Sequence, residues 1–228
     1  LWNGASGARL ANQSKTFYDK VLARYAQHTG AALAPSARVL DYGCGWGRLT
    51  RYFARDVDPG NLHGCDPVQR ILDVCTESRV PATFSHTPFV PHQLPYTEPF
   101  DLAYSFSVFT HISEQAGNAC VRALHDALRP GGILVLTLRP PDYLHFSELM
   151  RPVLSGGEPN LAEPHYLFAA HPAEASHPQY AGGEMTYGES LITLAYVRER
   201  WGSMFELVDI DVLIGDLYQV MITLRRRE

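Results

Sequence analysis

The chain has 228 residues, of which 46% are hydrophobic and 19% charged, so it can bury one sizeable core, and we predict a single domain over residues 1–228. A formal net charge of -5 excludes a broad basic face, and no nucleic-acid partner is therefore predicted. The sequence has neither an apolar stretch of membrane-spanning length nor an initial signal peptide, which predicts a cytoplasmic protein without a membrane span.

Cysteine usage agrees with that compartment. The four cysteines are spread along the chain, at positions 44, 65, 75 and 120, without a Cys-x-x-Cys pair. This pattern predicts reduced thiols in the core. The only basic run, at residues 225–227, predicts a solvated chain end. The sequence defines no oligomeric state, and because it starts at Leu1 it leaves open whether further residues precede it.

The first predicted element is an amphipathic helix over residues 10–28. Phe17, Val21 and Tyr25 recur there at helical spacing and give it one apolar face. We therefore predict that residues 1–36 form an N-terminal helical cover. The sequence leaves open whether this helix only covers a sheet or also helps to close a ligand site through Tyr18 or residues 12–14.

Residues 37–54 predict a strand, a glycine turn and a helix. A short apolar run ends at Asp41, three alternate glycines follow at positions 43, 45 and 47, and apolar residues then recur at helical spacing. Glycine allows positive φ and lets a ligand lie directly against the main chain. The free N–H groups of the following helix would point back at the loop. We therefore predict that this loop holds a small molecule.

The glycine spacing separates this loop from two better-known ones. The dinucleotide fingerprint needs its third glycine one residue later, where this chain has Arg48. No Gly-Lys-Ser/Thr follows, so the loop is not a phosphate-binding P-loop either. A nicotinamide-dependent oxidoreductase remains the alternative enzyme.

A second strand is predicted over Leu62–Asp66, and it also ends in an acid. Asp66 has the position of a ribose-diol acceptor in nucleotide-binding βαβ units. The alternative role of Asp66 is to cap the helix that follows, whose apolar stripe includes Ile71 and Leu72.

The rest of the chain predicts three further strands, two helices, of which the second lies around residues 194–201, and a hairpin. The strands are expected over residues 82–87, Phe100–Ser105 and 133–138, and a helix capped by Ser113 precedes the last of them. Two final strands, over residues 205–213 and 216–224, are joined at Gly215-Asp216 as an antiparallel hairpin.

Four motifs in order carry a family resemblance. They are Asp-Tyr-Gly-Cys-Gly-Trp-Gly at 41–47, the strand-end Asp66, Leu94-Pro-Tyr with Phe100-Asp-Leu, and Leu-Arg-Pro-Gly-Gly before the strand at 133–138. Together they resemble the class I S-adenosylmethionine-dependent methyltransferases over residues 38–225. The resemblance implies an α/β, Rossmann-like, mainly parallel seven-stranded sheet with helices on both faces and an antiparallel C-terminal hairpin.

The resemblance also implies the cofactor and its site. S-adenosyl-L-methionine would contact Asp41, Gly43, Cys44, Gly45, Asp66, Pro67, Ser105 and Phe106. The implied reaction is methyl transfer to a small-molecule or sugar acceptor, most simply at a hydroxyl group. A catalytically silent S-adenosylmethionine-binding module within a larger assembly is the alternative of another class.

His111 is the predicted catalytic residue. It follows the fourth strand at the carboxyl edge, where ligands of open α/β sheets bind, and imidazole is a suitable proton acceptor near neutral pH. The alternative is a turn histidine that holds the next helix. Metal-binding relatives carry two glutamates ahead of such a histidine, whereas this chain has Ser107 and Thr110, so we predict a metal-independent enzyme.

Residues 140–188 are predicted to be an irregular insertion that acts as a substrate lid, because so long a connection in a compact domain is usually functional. Its candidate lining groups are Asp142, Tyr143, His145, His165 and Tyr166. Histidines also recur at 165, 171 and 177, but prolines interrupt them and no acid or cysteine pattern joins them, so no zinc site is predicted.

Overall fold

The structure is a computed structural model, and it describes residues 6–172, 180–181 and 184–228. Its helices are α1 (Gly7–Thr29), α2 (Thr50–Phe53), α3 (Gln69–Glu77), α4 (Glu114–Ala127), α5 (Tyr143–Phe146) and α6 (Leu194–Arg200), with a 3-10 helix over Arg151–Gly156. Its strands are β1 (Val39–Tyr42), β2 (Leu62–Asp66), β3 (Thr83–His86), β4 (Phe100–Ser105), β5 (Leu128–Leu138), β6 (Tyr166–Ala170), β7 (Tyr180–Ala181), β8 (Glu184–Met185), β9 (Gly188–Ile192), β10 (Phe205–Val212) and β11 (Val220–Arg226).

Seven strands form one sheet in the order β10-β11-β5-β4-β1-β2-β3. Five adjacent strands, β5, β4, β1, β2 and β3, pair in parallel. Strand β11 is antiparallel to both of its neighbours, β10 and β5. This arrangement confirms the predicted mainly parallel seven-stranded sheet with an antiparallel C-terminal hairpin. Strands β1 and β2 are buried throughout, as expected for strands covered on both faces.

Two apolar clusters occupy the two faces of the sheet. One joins α4 and α6 to the sheet around Leu124, Val197 and Trp201. The other joins α1 and α2 to the opposite face around Phe17 and Phe53. Helices therefore cover both faces, and the carboxyl ends of the parallel strands remain as the edge at which a ligand can enter.

Helix α1 spans the predicted N-terminal helix and slightly extends it at both ends. Its apolar face packs Phe17 edge-to-face on Phe106, with ring centroids 4.9 Å apart. Its polar face reaches the C-terminal hairpin, where Lys20 and Arg24 both bind the carboxylate of Asp211 at 2.9 and 2.7 Å. The helix is thus fixed to the sheet and to the hairpin together.

The insertion is more regular than predicted. Strand β6 pairs antiparallel with β9, which the sequence did not predict as a strand, and β7 pairs with β8. A Cβ at Gly188 would lie 2.1 Å from the carbonyl oxygen of Ala169, so only glycine permits this approach of the two strands. The hydroxyl of Tyr166 donates to the carbonyl of Ile112 at 2.9 Å, which docks the insertion on the segment after β4.

Three further boundaries differ from the prediction. Strand β5 starts at Leu128, directly after α4, and not at Ile133. Helix α2 is a single turn over Thr50–Phe53. The hairpin strands are joined by residues 213–219 instead of a tight two-residue turn.

The basic run at the chain end stays partly exposed, but it is ordered, because strand β11 includes Arg225 and Arg226. Arg225 forms an ion pair with Glu206 at 2.6 Å, Arg226 donates to the carbonyl of Leu128, and Arg227 donates to the carbonyl of Gly202 at 2.7 Å. These partners anchor the end of β11. All four cysteines are buried free thiols. Among the helices of the described residues, none has the length and apolar character needed to cross a bilayer.

Candidate active site

The strand order fixes where a ligand would bind. Strand β1 lies between β2 and β4, so the chain leaves it in one direction to β2 and β3 and later returns on the other side to β4 and β5. In open α/β sheets the crevice at such a reversal, at the carboxyl ends of the strands, is the ligand site. The glycine loop after β1, Asp66 after β2 and His111 after β4 all lie at this edge.

The glycine loop is shaped by its first glycine. Gly43 has a φ of 72°, and a Cβ there would lie 2.3 Å from Cγ2 of Val108, so a side chain is excluded by both conformation and space. The N–H groups of Gly43 and Cys44 both donate to the carbonyl of Cys65, at 2.8 and 3.0 Å. The loop is therefore bound to the end of β2 over its first residues.

The sequence predicted that the free N–H groups of the helix after the loop point back at the loop, and this prediction is wrong. Helix α2 begins only at Thr50, and between β1 and α2 the N–H of Gly45 is bound to Asp66 and that of Gly47 to the carbonyl of Cys44, both at 3.0 Å. With these donors satisfied internally, the loop offers a close surface for a ligand and not an anion cradle.

Asp66 connects the loop to the start of α3. Its Oδ2 accepts from the N–H of Gly45 at 3.0 Å, and its Oδ1 accepts from the N–H of Val68 at 2.9 Å. The carboxylate is 7% exposed, and burial raises its pKa above the ordinary value, although the two backbone N–H groups oppose the shift. Each oxygen keeps one further acceptor position, so the ribose role and the loop-ordering role are compatible.

Asp41 lies beneath the loop at the end of β1. It is 2% exposed, and its Oδ2 accepts from the hydroxyl of Thr50 at 2.6 Å. Burial raises the pKa of the Asp41 carboxyl to about 7, a shift that the hydrogen bond from Thr50 reduces. The folded protein alone therefore favours protonated Asp41 up to about that pH, whereas a neighbouring cationic ligand would favour the carboxylate.

This titration gives a prediction. If Asp41 faces the cationic end of S-adenosylmethionine, affinity for that cofactor should rise as the pH rises through about 7, because ionised Asp41 attracts the cation. Asp41→Asn should remove this dependence. Calorimetric dissociation constants across that range check it, and identical pH profiles for both proteins would contradict it.

The other predicted cofactor residues lie along the same edge. Cys44 is buried in the loop, Ser105 is fully buried at the end of β4, and Phe106 follows it at 9% exposure. The Ser105 hydroxyl has no hydrogen-bond partner among the residues that the structure describes. Pro67 is half-buried directly after Asp66. Their contacts with a cofactor remain predictions.

His111 is clamped by strand β9. Its Nδ1 lies 3.0 Å from the carbonyl oxygen of Gly188, and since a carbonyl only accepts, Nδ1 carries the proton and Nε2 keeps a lone pair. The ring stacks on Tyr187, with an interplanar angle of 27°. One tautomer and one ring orientation are thereby selected.

Two charged residues that the sequence did not single out complete this cluster. Nη2 of Arg139, the residue after β5, lies 3.4 Å from Nε2 of His111 and donates to Glu189 of β9 at 3.0 Å. The Tyr143 hydroxyl donates to the same Glu189 oxygen at 2.8 Å. Arg139 could have been predicted from the strand-end rule that identified Asp66, because it directly follows a buried strand.

The environment keeps His111 neutral. Burial lowers its pKa below the ordinary imidazole value; the carboxylate of Glu189 opposes this shift, and the Arg139 guanidinium adds to it. His171, which also lies near the ring, lowers the pKa slightly further. At pH 7 Nε2 of the imidazole is therefore unprotonated, as a general base requires.

His111, His171 and Glu189 offer ligand atoms within 4.8 Å of one another. A divalent ion fits poorly among them, because the Arg139 guanidinium already lies between His111 and Glu189, and a second cation would be repelled. The residue types that the metal-binding relatives use are also replaced by Ser107 and Thr110.

Methyl transfer should therefore survive a strong chelator. We expect equal turnover with and without EDTA, no stimulation by magnesium or zinc, and only a small effect of His171→Ala, since that residue would matter most as a ligand. Loss of activity in EDTA with rescue by a metal ion would contradict this prediction.

The remaining lid candidates do not converge on His111. His145 is exposed and lies 3.9 Å from Glu158, the backbone of His165 is bound to Thr193, and Tyr166 packs towards α4. Asp142 is exposed. Of the proposed lining groups only Tyr143 joins the cluster. His177 lies outside the described residues.

Comparison with known families agrees with this architecture. Residues 39–132 match a family model described as a methyltransferase domain, a segment that contains the glycine loop, Asp66 and His111. No curated protein sequence gives a significant match.

Solved structures share the fold at low sequence identity. A S-adenosylmethionine-dependent methyltransferase from Clostridium acetobutylicum ATCC 824 is 11% identical, with a TM-score of 0.65 over 100% of this chain and 95% of the other. The glycopeptide N-methyltransferase MtfA complexed with S-adenosyl-L-homocysteine is 16% identical, with a TM-score of 0.60 over 94% and 89%. The magnesium protoporphyrin IX methyltransferase ChlM from Synechocystis PCC 6803 with the same bound product is 15% identical, with a TM-score of 0.58 over 97% and 89%.

Proposed function

We propose that this chain is a class I S-adenosylmethionine-dependent methyltransferase and that it transfers the methyl group of the cofactor to a hydroxyl of a small-molecule or sugar acceptor. The observation that carries the hydroxyl assignment is His111. Its Nδ1 proton is held by the Gly188 carbonyl, and its Nε2 lone pair lies at the carboxyl edge of the sheet. A hydroxyl nucleophile benefits from such a base, whereas a neutral amine needs none.

S-adenosylmethionine supplies a methyl group on a sulfonium centre, which is intrinsically reactive. The protein mainly has to align the acceptor and exclude water. In this proposal Asp66 and the glycine loop orient the cofactor, and His111 receives the hydroxyl proton at Nε2. Arg139 donates to the same nitrogen only at 3.4 Å, a contact weak enough for an acceptor hydroxyl to replace.

The surroundings of His111 support a small polar acceptor. Tyr143 and Tyr187 add ring surfaces close to His111 and Arg139, and Glu189 offers carboxylate oxygens. Aromatic faces beside hydrogen-bonding groups suit sugars and hydroxylated ring compounds. Two structural neighbours are a glycopeptide N-methyltransferase and a magnesium protoporphyrin IX methyltransferase, which is consistent with a non-polymer acceptor here.

Two parts of the chain would contribute to this function besides the sheet. Residues 1–36 serve as a helical cover and residues 140–188 as a lid within one domain. Supporting contacts are the pairing of β6 with β9 and the bond of Tyr143 to Glu189, which bring insertion residues to His111. The predicted compartment remains the cytoplasm.

A label-transfer experiment tests the proposed function. The protein is incubated with S-adenosylmethionine labelled in its methyl group and with panels of sugars, hydroxylated aromatic compounds and amines. We expect label on an oxygen of one panel, released together with S-adenosylhomocysteine. Label on nitrogen would contradict the hydroxyl assignment, and tight cofactor binding without transfer to any panel would favour the silent module.

A further inference from the structure

We propose that Arg48, held in place by Gln13 and Ser14 of α1, binds the α-carboxylate of the cofactor. This inference rests on the proposed function, because it assumes S-adenosylmethionine as the ligand. It concerns a residue outside the predicted cofactor contacts, and it gives α1 a direct role in closing the site.

Arg48 is a partly buried cation that is held by two neutral side chains. Its Nη1 donates to Ser14 Oγ at 2.6 Å and to Gln13 Oε1 at 3.1 Å, and both acceptors are neutral. Among the described residues no carboxylate forms an ion pair with this guanidinium, although Asp41 and Asp216 are near enough to favour its charge. A largely desolvated guanidinium that keeps its charge normally has an anion beside it.

The location matches the carboxylate end of the cofactor. The guanidinium carbon lies 5.1 Å from the centre of the Phe106 ring at the end of β4, and Arg48 itself follows the loop at the end of β1. It is therefore beside the crevice between β1 and β4. Asp66 at the end of β2 would hold the ribose on the other side of β1, so the amino-acid part of the cofactor points towards Arg48.

Arg48 has hydrogen-bond donors that remain available for a ligand. A guanidinium has five N–H donors, and Arg48 uses only Nη1 for bonds within the described residues. Its remaining donors can bind a carboxylate in a forked geometry. Burial lowers the pKa of Arg48 from a value so high that the side chain stays charged, so a carboxylate would gain a permanent partner.

This contact would couple the cofactor to α1. Gln13, which accepts from Arg48, also donates to Asp216 in the connection between β10 and β11 at 2.6 Å. A carboxylate on Arg48 would thus strengthen a chain of contacts from the glycine loop through α1 to the hairpin. The sequence left the role of residues 12–14 open, and these contacts favour the closing role over a simple cover.

The test compares two ligands on matched variants by calorimetry. One ligand is S-adenosylhomocysteine, and the other is its decarboxylated analogue, which keeps the ammonium group. We expect the wild-type protein to bind the first about 10–100-fold more tightly, the scale of a charge-assisted hydrogen bond. Arg48→Gln should abolish most of that ratio while binding the decarboxylated ligand as the wild type does, and Arg48→Lys should keep part of it.

Arg51→Gln is the control, because it removes the same charge three residues later from a side chain that instead stacks on Trp46. It should leave the ratio unchanged. Equal weakening of both ligands by Arg48→Gln would overturn the proposal and leave Arg48 a loop-shaping residue. Failure of the proposed function is a separate result, because it would appear as absent methyl transfer or absent binding of either ligand to the wild type.

Discussion

Replacing His111 by alanine is expected to lower turnover by about 10²–10⁴-fold, the range of a lost general base, with little change in cofactor affinity. The physical reason is the tautomer held by Gly188, which leaves Nε2 as the acceptor nitrogen at the carboxyl edge of the sheet. Single-turnover rates with labelled cofactor, together with the dissociation constant of S-adenosylhomocysteine, check both parts of this expectation.

His111→Gln is the matched variant, because glutamine keeps hydrogen bonding but cannot take up the proton. It should be nearly as slow as the alanine variant. The wild-type rate should rise with pH and reach its plateau below the ordinary imidazole range, since the folded-state pKa of His111 is lowered and the neutral form is the active one. Near-normal turnover in the glutamine variant would make His111 a positioning group.

The alanine variant also tests whether His111 has a structural role instead of a catalytic one. The ring is clamped to Gly188, and the backbone N–H of Gly188 donates to the His111 carbonyl at 2.8 Å. If the histidine only holds the turn before α4, its loss should reduce the free energy of unfolding and the activity together. We expect the backbone bonds to preserve most of the stability.

Replacing Asp66 by alanine is expected to weaken cofactor binding by about 1.5–3 kcal/mol, the scale of a hydrogen bond to a charged group. The carboxylate lies at the end of β2, where its two oxygens already bind Gly45 and Val68. Loss of these bonds alone could loosen the loop. Affinity alone therefore does not separate the ribose role from the loop-ordering role.

A ligand without the ribose 2′- and 3′-hydroxyls separates them. On the wild type this ligand should bind more weakly than S-adenosylhomocysteine, and on Asp66→Ala the two should bind alike, because the acceptor of the hydroxyls is gone. If both ligands weaken equally on the variant, Asp66 orders the loop and the ribose lies elsewhere.

Much of the fold follows from local patterns in the sequence. The spacing of apolar residues and the positions of turn residues predicted α1, β1, β2 and β4 within a few residues. Buried parallel strands are short continuous apolar runs that end in turns, which makes them visible in the sequence. The strand-end rule then brought Asp66 and His111 to one edge. These inferences need only local sequence and the geometry of a parallel sheet.

The missed features depend on contacts between distant segments. Strand β9 pairs with β6 across the insertion. Glu189 lies beside His111 because its neighbours Gly188 and Ser190 donate to the carbonyls of His111 and Thr110. The position of the glycine loop after β1 was predicted correctly. Its N–H groups, however, donate to the carbonyl of Cys65 and to Asp66. A partner so distant in the chain leaves no local periodic signal.

The most direct test of the account is a crystal structure of the protein with bound S-adenosylhomocysteine. In that structure we expect the ribose hydroxyls within hydrogen-bond distance of Asp66, the main chain of the glycine loop against the ligand, and the sulfur directed towards His111. A ligand whose ribose lies away from Asp66, or whose sulfur faces away from the His111 ring, would contradict it.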